Sequence, residues 1–163
     1  MVNIELAKPF VRAAYDFLNM ELGIPVKQGP PSTTATQGTT QEINILVGVT
    51  GAVRGQIIYG MSAATAKSIA SMMLAHPIQG LDRNAQSALC ELGNMVSGMG
   101  ISQFDQQHAD VALTPPSLIA GKNIFISVLK LGCFHISFVT ETGNIDVTIA
   151  LEEHAMPPQT VAV

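Results

Sequence analysis

The chain has 163 residues, 47% hydrophobic and 12% charged, which is enough apolar material for a core and excludes a disordered chain. A net charge of −4, with no Lys/Arg-rich run and no Trp, argues against nucleic acid as a partner. No apolar stretch approaches the roughly 18 residues that span a bilayer, so membrane insertion is not expected, and two lone cysteines outside any CxxC pattern fit a reduced, cytoplasmic protein.

A single domain over residues 1–163 is the expectation at this length, with 29–41 an exposed loop and 155–163 a flexible tail. Residues 5–20 read as an amphipathic helix, with Leu6, Phe10, Ala13, Ala14, Phe17 and Met20 at helical spacing. Pro9 lies near its start, and Gly23 with Pro25 ends it. The segment 27–41 is rich in Pro, Gly, Thr, Ser and Gln, a composition that suits an exposed loop, with extended edges left open, and no packed core. Strands are predicted at 42–49 and 54–60, joined through Thr50-Gly51-Ala52-Val53. Ser62 is an N-cap candidate for a helix over 63–75 that buries Ala64, Ala66, Ile69, Ala70, Met73 and Leu74. A longer helix follows at 82–101. After an irregular segment, strands are predicted at 123–129, 133–140 and 145–151, with turns at Gly132 and at Thr142-Gly143-Asn144. Each half therefore offers a long helix followed by antiparallel strands, which leaves a duplication open.

On the long helix, Ala85, Ala88, Leu89, Leu92, Met95, Val96 and Met99 share one side and are predicted to meet the core. Asn84, Ser87, Glu91, Asn94 and Gly98 form a second stripe at spacings of three and four. A carboxylate and an amide thus sit one turn apart, with small flanks that let another molecule approach. An amide both donates and accepts hydrogen bonds, so Asn94 can hold a water beside an anionic group without adding negative charge. A carboxylate so placed is repelled unless it meets a cation, which suits Glu91 to docking on a partner's lysine. By itself, Glu-x-x-Asn on an exposed helix face is commonplace and specifies no chemistry.

The wider stretch resembles the CheX/CheC family of chemotaxis phosphatases. The family signature is an Asp or Ser, three residues, Glu, two residues, Asn, and a later Pro. Here it reads Ser87, Glu91 and Asn94, followed by Thr114-Pro115-Pro116-Ser117. The likeness extends from Val49-Thr50-Gly51 through Arg54-Gly55-Gln56-Ile57-Ile58-Tyr59-Gly60-Met61-Ser62, and from Leu81-Asp82 through Asn94-Met95-Val96-Ser97-Gly98. Cys90 stands where the family carries a smaller residue.

The resemblance implies an α+β (α/β) CheC-like fold: an antiparallel sheet, two long helices in pseudo-repeated halves and a short helix between them. It implies a hydrolase that removes the aspartyl phosphate of a phosphorylated CheY-like response regulator. Glu91 would pair with the regulator's active-site Lys, and Asn94 would orient the attacking water. Ser87 would support the contact, and Pro115 or Pro116 would match the family proline. It implies no cofactor or metal of this chain's own, with Mg²⁺ on the regulator, and a homodimer formed through the sheets. One active site is expected, because the first helix offers only Asp16-Phe17-Leu18-Asn19 in place of a second Glu-x-x-Asn. A non-catalytic module that binds a regulator or flagellar-switch component, and a plain scaffold dimer, are the alternatives.

Other candidates carry less. His76, His108, His135 and His154 show no metal-ligand spacing, and Cys133 with His135 reads as a buried Cys beside a satisfied His. Met61, Met72, Met73, Met95 and Met99 read as core.

Overall fold

The computed structural model of the chain describes residues 2–34, 38–39, 41–104, 110–128 and 131–155. The tail expected at 155–163 falls, from residue 156 on, outside the described residues, as does His108.

Helix α1 (Ile4–Asp16) is capped by Asn3, whose side chain accepts from the Glu5 N–H at 3.1 Å. It widens into a π-helical turn at Phe17–Glu21, where the Leu22 N–H donates to the Phe17 carbonyl at 3.1 Å. Gly23, at φ +64°, turns the chain away. Pro9 lies inside α1, in its second turn, so the Glu5 carbonyl has no amide four residues on.

Three short strands follow, β1 (Lys27–Gln28), β2 (Ser32–Thr34) and β3 (Gly38–Thr39). The hairpin of β4 (Ile43–Gly51) and β5 (Val53–Met61) pairs from Ile43↔Met61 to Val49↔Gly55, and beyond that pair the two strand ends turn to other partners. Ser62 caps α2 (Ala63–Leu74) by accepting from the Thr65 N–H at 3.1 Å. Asp82 caps α3 (Arg83–Ile101) by accepting from the Ala85 N–H at 2.9 Å. Then come β6 (Val111–Leu113), β7 (Ser117–Ala120), β8 (Ile126–Ser127), β9 (Cys133–Thr140) and β10 (Gly143–Glu153).

The main sheet is antiparallel, in the order β1-β9-β10-β5-β4-β6, with β2 also on β9 and β7 also on β4. Strand residues alternate between its two faces. Ile45, Val47, Ile57, Tyr59, Ile136, Phe138, Val147 and Ile149 join α1 and α3 in the principal core. On the other face, Ile58, Cys133 and Ala150 are covered by Ile126, Val128 and Leu131.

The duplication left open by the sequence is present in the structure. Strand β9 receives a proline-broken edge from the first half, with β1 and β2 flanking Gly29-Pro30-Pro31. Strand β4 receives the matching edge from the second half, with β6 and β7 flanking Thr114-Pro115-Pro116. The Gly29 N–H donates to the Ser137 carbonyl at 2.8 Å, and the Thr114 N–H to the Gly48 carbonyl at 2.9 Å. Ser32 lies opposite His135 as Ser117 lies opposite Leu46. Strands β5 and β10 meet across the pseudo-twofold axis, which passes beside Ile58 and its partner Thr148.

The helices obey the same relation. Buried Leu6, Phe10, Ala13, Ala14, Phe17 and Leu18 of the first half match buried Ala85, Leu89, Leu92, Gly93, Val96 and Ser97 of α3. That register aligns the two N-caps, Asn3 and Asp82.

Several expectations are corrected. Segment 29–41 is exposed at 30–34 and half-buried at Gly29 and Gln41, and it is more than a loop, its extended edges forming as Ser32–Thr34 on β9 and Gly38–Thr39 on β8. Of the strand expected at 123–129, the described residues form only Ile126–Ser127, which lies off the main sheet, and residue 129 lies outside them. The segment read as irregular contains β6 and β7, each too short to show an alternating pattern. In α2, Ala64 is exposed and Thr65 is buried, its hydroxyl donating to the Thr142 carbonyl at 2.8 Å. Met72 and Met95, read as core, are exposed, at 38% and 37%.

Candidate functional site

The face singled out on α3 exists as read. Asn84, Ser87, Glu91 and Asn94 are all exposed, and Gly98 is half-buried on the same stripe. Among the described residues, the side chains of Ser87, Glu91 and Asn94 make no hydrogen bond or ion pair. They are therefore free to meet a partner without first breaking an internal contact.

The opposite side of α3 is seated closely. A Cβ on Gly93 would lie 2.6 Å from Cγ2 of Ile45 and 3.4 Å from Cγ2 of Val47, so the helix rests directly on β4. Gly100 stands in the same relation to the Phe10 ring, where a Cβ would meet Cδ1 at 2.3 Å. Between these two contacts the Ser97 hydroxyl and the Tyr59 hydroxyl share a buried hydrogen bond of 2.8 Å. Burial pushes the Tyr59 phenol far above its usual range, so it stays neutral. The sequence signal for this seat was available as small residues on the core side of the helix, at Gly93, Ser97 and Gly100.

Pro115 is exposed and Pro116 half-buried in the link between β6 and β7. Thr114 ties that link to β4, since its hydroxyl accepts from the Gly48 N–H at 2.9 Å. Because Gly93 rests on Ile45 and Val47 of the same strand, the proline link runs alongside the turn of α3 that carries Asn94. Met95, beside Asn94 and one turn beyond Glu91, adds exposed apolar surface that the sequence reading had assigned to the core.

Ser87, Glu91 and Asn94 line none of three grooves described in the structure. Two of these grooves measure about 780 Å³ along α2, lined by Lys67, Ser71, Met72 and His76, and about 520 Å³ along α1, lined by Arg12, Tyr15, Pro31 and Phe134. Exposed, unengaged polar side chains on a helix face suit contact with another protein. One carboxylate and one amide make a poor donor set for a resident hard cation, which takes six or more oxygens.

The pseudo-twofold assigns a counterpart to each site residue. Lys8, Arg12 and Tyr15 on α1 stand where Ser87, Glu91 and Asn94 stand on α3, and Pro31 where Pro116 stands. Asp16 and Asn19 match Met95 and Gly98 in that register, so they do not occupy the positions of the Glu–Asn pair.

The other candidates have structural roles. Cys133 is buried, and Nδ1 of His135 lies 3.1 Å from the Thr148 hydroxyl. Cys90 is half-buried, and desolvation raises its thiol pKa. Among the described residues no cluster of three His, Cys, Asp or Glu could hold a metal, and no helix is long and apolar enough to cross a membrane.

The family model for chemotaxis phosphatase CheX matches residues 43–139, which include α3, the proline link and most of the sheet. The CheY-P phosphatase CheX of Thermotoga maritima is 30% identical over 135 residues, covering 80% of this chain and 87% of that protein. The crystal structure of a CheX–CheY–BeF3–Mg²⁺ complex from Borrelia burgdorferi matches at a TM-score of 0.79 and 27% identity, covering 93% of this chain and 100% of that one. A CheC-like superfamily protein from Shewanella sp. PV-4 matches at a TM-score of 0.82 and 20% identity, covering 93% and 99%, which shows the CheC-like fold. The chain belongs to the CheX family of chemotaxis phosphatases.

Proposed function

We propose that this protein hydrolyses the aspartyl phosphate of a CheY-like response regulator, with the exposed face of α3 as its active surface. The observation that carries the reading is Glu91 and Asn94 side by side on a closely seated helix, both unengaged and both exposed. Membership of the family and the named activity of the Thermotoga relative support it.

An acyl phosphate is already reactive, and what it lacks is a water held in line with the phosphorus. Asn94 supplies that hold: its amide oxygen accepts from the water while its N–H₂ can donate toward a phosphoryl oxygen. Glu91 pairs with a lysine on the regulator, which sets the depth and direction at which Asn94 enters. Ser87 and Gly98 keep the approach open, and the Pro115–Pro116 link borders it with a backbone of restricted freedom. The divalent ion that neutralises phosphoryl charge would be held by the regulator's carboxylates.

We further propose that two copies associate through their sheets, for which the exposed Ile119 and Val139 on the face away from the helices offer apolar surface. Sedimentation equilibrium at micromolar concentration checks this, and a monomer there would remove it.

The test incubates the protein with each phosphorylated CheY-like regulator of the same genome and follows phosphate loss. Accelerated loss with at least one regulator, abolished in Asn94→Ala with the fold intact, is the expected result. Tight binding of a phosphorylated regulator without release above the spontaneous rate would replace this reading with a non-catalytic binding module. No binding to any regulator would leave only a scaffold.

A further inference from the structure

The bond between Tyr59 and Ser97 has no counterpart in the other half of the molecule. By the pseudo-twofold, Tyr59 of β5 corresponds to Ile149 of β10, and Ser97 of α3 to Leu18 at the end of the first helix. Leu18 and Ile149 are both buried apolar core residues, 3% and 1% exposed. The fold is therefore served at this location by an apolar pair, and nothing in the architecture requires a polar one. Yet under α3 stand two hydroxyls, at 0% and 1% exposure, which must satisfy each other at 2.8 Å or be left unsatisfied. Among the described residues it is the one buried side-chain hydrogen bond that joins α3 to the sheet.

Directionality is what separates this bond from the other contacts beneath α3. Gly93 against Ile45 and Gly100 against Phe10 fix how near the helix sits, but apolar contacts tolerate small slides and rotations. A hydrogen bond loses strength steeply with misalignment, so it sets a definite rotation and axial position. Ser97 lies one turn beyond Asn94 and only about 60° round the helix from it. A rotation at Ser97 therefore carries Asn94 directly.

We propose that Tyr59 and Ser97 are a positioning pair, whose hydrogen bond fixes the rotational register of α3 so that Asn94 presents its amide at the depth needed to hold the attacking water. The inference rests on the function proposed above. Asn94 is short and cannot compensate for a displaced backbone, whereas Glu91 has an extra side-chain torsion and can still reach a lysine. Loss of the pair thus acts on turnover and spares docking.

The experiment measures kcat and KM for a phosphorylated CheY-like regulator with Tyr59→Phe, Ser97→Ala and the double variant, alongside the core truncation Ile149→Val at the symmetry-related site. Thermal melting and amide hydrogen exchange of α1 and α3 are followed on the same proteins. Each single variant is expected to lower kcat roughly fivefold to tenfold with KM within about twofold, since small misplacements of a positioning group are costly. The double variant, which leaves no orphaned hydroxyl, should be no slower than the slower single. Exchange should quicken in α3 around Asn94 and not in α1. Ile149→Val should lower the melting temperature with kcat unchanged.

A Tyr59→Phe protein with kcat within about twofold of the parent, or a loss of kcat that Ile149→Val reproduces at equal loss of stability, overturns the proposal. Failure of the parent protein to release phosphate refutes the phosphatase reading instead. The exchange measurement then still decides the pair, because unchanged protection of α3 in both single variants removes its positioning role.

Discussion

Helices α1 and α3 hold equivalent places in the two halves, bury the same register and turn very different faces outward. On α3 the stripe is Ser87, Glu91 and Asn94, uncommitted to any internal contact. On α1 the matching positions are Lys8, Arg12 and Tyr15. Lys8 lies 2.6 Å from Glu5 and Arg12 3.9 Å from Asp16, so both cations have partners on their own helix. The undersides differ too: Gly93 and Ser97 under one helix, Ala14 and Leu18 under the other. The fold constrains only which positions are buried. What a helix does is written on the face that the fold leaves free, and here only one of two equivalent faces carries a carboxylate and an amide at the second and third positions of the stripe.

The sharpest test of that difference pairs Asn94→Ala with Tyr15→Ala. The first should lower stimulated phosphate release about 100-fold or more, the scale of losing one preorganised group at a reacting centre. The second should leave it within about twofold. Equal losses at the two positions would mean that the pseudo-twofold hides a second working face.

Docking gives the next contrast. Glu91→Lys should raise KM for the phosphorylated regulator about tenfold or more by placing like charges together, whereas Arg12→Glu should leave KM unchanged. Titration of binding by fluorescence reads this directly, and unaltered affinity in Glu91→Lys removes the docking role. Met95 can be tested by grafting, since its counterpart on α1 is Asp16. Met95→Asp should raise KM several-fold, because it exchanges apolar surface for an anion beside a phosphoryl group. A KM no different from the parent's would mean that Met95 lies outside the contact.

Much of this was legible in the sequence, and what was not has identifiable causes. The stripe of α3 followed from periodicity because the helix is long, with 19 residues repeating one pattern. The two hairpins followed from β-branched runs bounded by Gly. The edge strands β2, β6 and β7 were not legible as strands because three or four largely exposed residues beside paired prolines carry no alternation; their pairing is imposed by β9 and β4. Met95 was misplaced because hydrophobicity cannot separate the border of a buried face from its centre. The Tyr59–Ser97 bond joins residues 38 apart in the chain, and no local pattern announces such a partner. Glu91 and Asn94 could be placed on one surface by spacing alone, but their chemistry entered through the family resemblance.

The smallest expected effect concerns the undersides of the two helices. Gly93→Ala should gain about 1 kcal/mol of helix propensity. The added methyl, however, arrives 2.6 Å from Cγ2 of Ile45 and must displace that side chain or lift α3. Overpacking of this kind costs about 1–3 kcal/mol, so the net should be a modest destabilisation, seen as a lower urea midpoint with unchanged slope. At the matching position on α1 the reverse change, Ala14→Gly, forfeits both propensity and a buried methyl, about 1–2 kcal/mol together. Both substitutions therefore destabilise, for opposite reasons: one helix is held close by the absence of a side chain, the other by its presence. A Gly93→Ala protein more stable than the parent would show that Ile45 yields freely. The close seat of α3 would then owe its position to the Tyr59–Ser97 bond, not to the glycine.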